Sequence, residues 1–176
     1  MTGYTDTMAA LAASTDERVQ ALYGRYTSGE ITADEFVAMA IGILAQGESR
    51  AVSLADLALA GALTAATGRV RTPVGLLPDH GAEQRAAQAI REAFDDFEPP
   101  AKLTINIRDA VLETAQRSYG TAMRRQGVER WTRKLNTGAC ELCHDLAGDT
   151  LPASADMYRH KGCGCSQKPI IESEKP

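Results

Sequence analysis

The chain has 176 residues, 5% aromatics and a formal net charge of −4. That length suits one ordinary domain, or a helical region with a small module attached, and so few aromatics favour thin helical packing over a thick core. The apolar runs at 36–45 and 51–66 are too short to cross a bilayer or are broken by Asp56, and the first residues lack a basic stretch, so neither a membrane span nor a secretory signal is expected.

The net charge hides an asymmetry. Residues 1–100 carry 7 Lys+Arg against 14 Asp+Glu, and residues 101–176 carry 12 against 9. Basic residues are densest at Arg117, Arg124, Arg125, Arg130, Arg133 and Lys134. A solvated helix face accounts for such a run, and so does contact with nucleic acid or an acidic partner.

In chain order, residues 1–15 hold few large apolar side chains and are expected to fray as a leader. Asp16 opens a helix whose Val19, Leu22, Tyr23 and Tyr26 share one face, and Ser28-Gly29 ends it. Thr32 and Glu35 form a capping box, in which the hydroxyl accepts from the third helical amide while the carboxylate reaches back. Helix is predicted from there to about residue 67, with a break near 46–49 because Gly47 lowers helix propensity. Residues 68–81, with Pro73 and Pro78, read as a loop, followed by a helix to about Phe94 with Ala86, Ala89, Ile90 and Phe94 inward.

The stretch 95–100 ends in Pro99-Pro100 and marks the best domain boundary. A helix then runs from about Leu103 to Gln126, with Gly127 as its cap. Residues 128–135 suit a short exposed strand that pairs with 167–171 and brings Trp131, the single tryptophan, over the last module; residues 172–176 read as a mobile tail. The expected organisation is mainly α: a helical region over 1–100, a connecting helix over 101–127, and a small α+β module over 128–176.

All four cysteines fall in that last module. Cys140-x-x-Cys143-His144 is followed by His160-x-x-Cys163-x-Cys165. Two short clusters of soft ligands joined by one loop have the layout of a metal clip, since Zn²⁺ takes four nitrogen or sulfur ligands in a tetrahedron. Five residues compete for four places: Cys140 and Cys143 with two of His160, Cys163 and Cys165. His144 reads as a solvated turn residue. The same cysteines also fit two disulfides, a thioredoxin-like redox turn, or the Cys-x-x-Cys-His pattern of c-type haem attachment. The haem pattern leaves His160, Cys163 and Cys165 without a role, and the redox turn needs a βαβ unit that the preceding sequence does not offer.

Trp131-x8-Cys140-x-x-Cys143, then Leu146-x-Gly148, then His160-x-x-Cys163-x-Cys165 with Pro169 beyond, resembles the C-terminal motif of Mu F-like minor head proteins of tailed bacteriophages. The match covers about residues 128–170. Two positions depart from the family's pattern: Gly164 stands where an arginine is common, and Lys161 where a proline commonly follows the histidine. The resemblance implies a structural component of the virion, made in the host cytoplasm and built into the head in several copies. It would lie near the portal protein or the major capsid protein, close to DNA without reading its sequence. No catalytic role comes with it, and His-Glu-x-x-His, Gly-x-Ser-x-Gly, a phosphate-binding Gly-x-x-x-x-Gly-Lys and the deaminase signature are all missing from the sequence.

Overall fold

The computed structural model describes residues 3–79 and 81–171. Four helices come first: α1 (Tyr4–Thr27), α2 (Ala33–Thr67), α3 (Ala82–Phe94) and α4 (Pro99–Arg125). A small module follows, with β1 (Arg130–Lys134), the short helix α5 (Glu141–Asp145), a 3₁₀ turn at Leu146–Gly148, β2 (Thr150–Pro152) and β3 (Ser166–Ile170). The fold is mainly helical with a small α+β module at the end, as the sequence leads one to expect; the sheet in that module has three strands among the described residues.

The first helix starts earlier than predicted. Met8, Ala12, Thr15, Val19 and Leu22 are all buried at alternating spacings of four and three, so residues 4–15 form the first turns of α1 and not a frayed leader. Residues 1 and 2 lie outside the described ones. Asp16, expected to open the helix, lies inside it and is buried, where it accepts from Arg108 Nε at 2.8 Å and from the Thr104 hydroxyl at 3.0 Å. Tyr4 stacks on Tyr119 with ring centroids 4.7 Å apart, and its hydroxyl donates to the Ala115 carbonyl at 3.1 Å. The N-terminal turn is thereby fastened to α4.

The Thr32–Glu35 capping box forms, with Glu35 N donating to Thr32 Oγ1 at 3.3 Å and Thr32 N donating to Glu35 Oε2 at 2.8 Å. From it α2 runs unbroken for 35 residues to Gly68, which caps it at φ 67°. No break occurs at 46–49: Gly47 packs closely against Thr15 of α1, and that contact offsets the propensity it lacks. The following loop is gathered by Asp56, whose carboxylate accepts from the backbone N–H groups of Val74, Gly75 and Leu76 at 2.8–3.0 Å. Pro99 and Pro100 open α4, because proline at the first helical positions gives up only N–H groups that have no partner there.

Helix α4 packs against α1, α2 and α3. The core divides along its length. One part holds Val19, Phe36, Leu44, Ile90, Leu103, Ile107 and Val111; the other joins Leu59, Leu63, Tyr119 and Met123 to Trp131, Met157, Cys143, Cys163 and Cys165 of the module. In the sheet β1 is central and antiparallel to both neighbours, with Trp131 opposite Leu151 of β2 and Pro169 of β3. The pairing of β1 with β3 is the one expected. The third strand, β2, has no forerunner in the sequence reading, and residues 172–176 lie outside the described ones.

Candidate metal centre

The two cysteine turns meet above Trp131. Cys140 is the N-cap of α5 and Cys143 lies in that helix's only full turn, so both sulfurs face the same way. The second turn comes in from the loop before β3, where Cys163 N donates to the His160 carbonyl at 3.0 Å. Cys143 Sγ lies 3.7 Å from Cys163 Sγ and 3.6 Å from His160 Nε2, and Cys140 Sγ lies 3.2 Å from His160 Nε2. Bonds of about 2.3 Å to sulfur and 2.0–2.1 Å to nitrogen put neighbouring ligands of a zinc tetrahedron roughly 3.6–3.8 Å apart. The two separations from Cys143 have these dimensions, and the one between Cys140 and His160 is shorter. The cluster could hold a metal ion.

Cys143 is common to two overlapping groups, one with Cys140 and His160 and one with Cys163 and Cys165. All four cysteines are free, and the antiparallel sheet offers no βαβ frame for a thioredoxin-like turn. His144, in contrast, is exposed on α5. The imidazole of His160 is set up for ligation: its Nδ1–H donates to the Lys161 carbonyl at 3.0 Å, which leaves Nε2 as the lone-pair nitrogen turned to the sulfurs.

Burial, joined by the neighbouring thiols of Cys165, Cys163 and Cys140, pushes the Cys143 thiol up to about 12. The Cys140 thiol is held below the usual range, chiefly by the backbone N–H of Cys143. A cation is what would relieve the crowding of sulfur at Cys143.

Helix α4 braces the second turn. Gln116, buried on its apolar side, donates through Nε2 to the carbonyls of Cys163 at 2.6 Å and Cys165 at 2.8 Å. Arg159 donates to Gln116 Oε1 at 2.9 Å, pairs with Glu113 at 3.1 Å and also pairs with Asp109. Both departures from the phage pattern have a local reason. A Cβ on Gly164 would meet Asn136 Nδ2 at 2.8 Å, so no larger side chain fits without moving Asn136, and Lys161 uses its ammonium on Asn106 Oδ1 of α4 at 2.7 Å.

The basic residues do not make one surface. Arg117, Arg124, Arg125, Arg130 and Lys134 are exposed, whereas Arg133 is buried at 6% exposure against the cysteine cluster. The expectation of a partner contact by Arg133 is therefore corrected: strand alternation turns it to the same side as Trp131. That i, i+2 relation was readable in the sequence. So was Gln116, a polar residue on the apolar stripe of α4 between Leu112 and Tyr119.

No family, curated protein or solved structure matches this chain.

Proposed function

We propose that this chain is a structural docking component of a tailed-phage head, a minor capsid protein whose C-terminal module is clipped by one zinc ion. The observation that carries the zinc is the 3.7 Å approach of Cys143 and Cys163, which brings together turns twenty residues apart in the sequence with His160 alongside. The ion is structural in this reading. Its ligands come from two turns of a small module, and folding free energy on the order of 10 kcal/mol is available from such a site.

The head assignment rests on the order and spacing of the tryptophan, cysteine and histidine motif, and the architecture suits it. A helical body that shares buried side chains with the knob offers a surface for the portal protein or the major capsid protein. Exposed Arg117, Arg124, Arg125, Arg130 and Lys134 would tolerate nearby DNA through its phosphates. Elemental analysis of the purified chain, joined to co-assembly assays with tailed-phage portal and major capsid proteins, tests the reading. About one zinc per chain and association with either partner are expected. A metal-free protein that ignores both would end it.

A further inference from the structure

Arg133 is a buried cation that no carboxylate pairs with among the described residues. Its Nη1 lies 3.7 Å from Cys143 Sγ and 3.8 Å from Cys163 Sγ, and Nη2 donates to the Tyr158 carbonyl. Guanidinium does not lose its proton in proteins, and a buried charge without a counter-charge is costly. Elsewhere the chain meets this rule in the ordinary way: Arg159 reaches Asp109 and Glu113, and buried Asp16 has Arg108. Beside Arg133 the atoms able to carry negative charge are the two sulfurs.

We infer that Arg133 is the internal counter-ion of a metal–thiolate centre formed by Cys140, Cys143, Cys163 and His160, with Cys165 outside the ligand set. The inference deepens the zinc reading above and rests on it. A divalent ion with three thiolates and a neutral imidazole keeps one net negative charge, which Arg133 cancels. Four thiolates would leave a charge uncancelled. Cys165 also has another use, since its Sγ donates to Asn136 Oδ1 at 3.3 Å. Hydrogen bonds from the guanidinium to the two sulfurs would hold the thiolates as metal ligands and make them poorer nucleophiles, so Arg133 acts as a positioning residue for the centre.

The test uses the full chain with zinc or cobalt(II) alone. R133M, which keeps the length of the side chain and removes its charge, should bind zinc about ten- to a hundredfold more weakly in competition with a chromophoric chelator, and its thiolate-to-cobalt charge-transfer band should shift. R133K should fall between R133M and the native chain. C165S should keep zinc affinity within about twofold, while C163S loses tight binding. X-ray absorption of the unmodified zinc protein needs no variant and should give three sulfur ligands and one nitrogen. Native affinity and an unshifted band in R133M, C165S as damaging as C163S, or a sulfur-only shell would each overturn the inference and leave the zinc reading standing. A native chain that takes up no metal removes both.

Discussion

A Cβ placed on Gly47 of α2 would stand 2.8 Å from the Oγ1 of Thr15 on α1 and 3.4 Å from its Cβ. Thr15 cannot turn aside freely, because its hydroxyl donates to the Leu11 carbonyl at 2.8 Å and its side chain is branched at Cβ. G47A would gain about 1 kcal/mol of helix propensity. The overpacking it introduces costs about 1–3 kcal/mol, so a net loss of stability is expected in urea unfolding. T15A in the same chain should recover most of that loss. An uncompensated gain in the single variant would mean that the helices do not cross as closely as described.

Asp56 holds the loop after α2 by three backbone amides. D56A leaves those donors without the carboxylate and should speed hydrogen exchange at Val74, Gly75 and Leu76 by about tenfold or more. Amides in the buried middle of α4 should keep their protection. Equal loss of protection in both places would show that Asp56 supports the whole body and not the loop alone.

Glu48 is buried at the floor of a cleft of about 460 Å³ that Arg85, Arg117 and Arg125 also line. Its Oε1 accepts from the Thr114 hydroxyl at 2.9 Å, while Oε2 has no partner among the described residues. Burial raises its pKa above the ordinary 4.5, against the smaller lowering by Thr114 and Arg85. The folded state therefore holds this proton more tightly than the unfolded chain does. Its contribution to stability is fully present below the unfolded value and is lost as pH rises through the folded one. E48Q removes that loss. The stability of E48Q relative to the native chain, followed by urea unfolding, should increase as pH rises above the ordinary glutamate range and level off once the native Glu48 is ionised. A difference independent of pH would remove Glu48 as the source.

Trp131 is 1% exposed beneath the cysteine cluster, and its Nε1 donates to the Pro152 carbonyl at 3.1 Å. Stripping metal with a chelator should loosen the module, shift Trp131 emission to the red and leave most of the far-ultraviolet helix signal in place, since the helices have a core of their own. Restoring zinc should reverse the shift. Unchanged emission through both steps would show that the module keeps its shape without an ion.

The limits of α2 were legible because Thr32, Glu35 and Gly68 mark them by local hydrogen bonding and backbone freedom, independent of what packs nearby. The beginning of α1 was not, since its inward positions there include Ala12 and Thr15, too small or polar to register as an apolar stripe until α4 covers them. Gly47 misled for the opposite reason: a helix-weakening residue was kept for a contact made far away in the sequence. At the cysteine cluster, ligand types and spacing gave all five residues. That Gln116 on α4 and Arg133 on β1 face inward was legible too, but that they lie against the cluster required knowing that this helix and this strand pack on the two cysteine turns.

Gln116 grips the carbonyls of Cys163 and Cys165 from the middle of α4, and Asp109 and Glu113 hold Arg159 two turns and one turn earlier, respectively. Anyone grafting the cysteine-bearing segment onto another scaffold would leave these three side chains behind by cutting at the Gly127 turn. The smallest transplant that carries its own support begins inside the helix, ahead of Asp109.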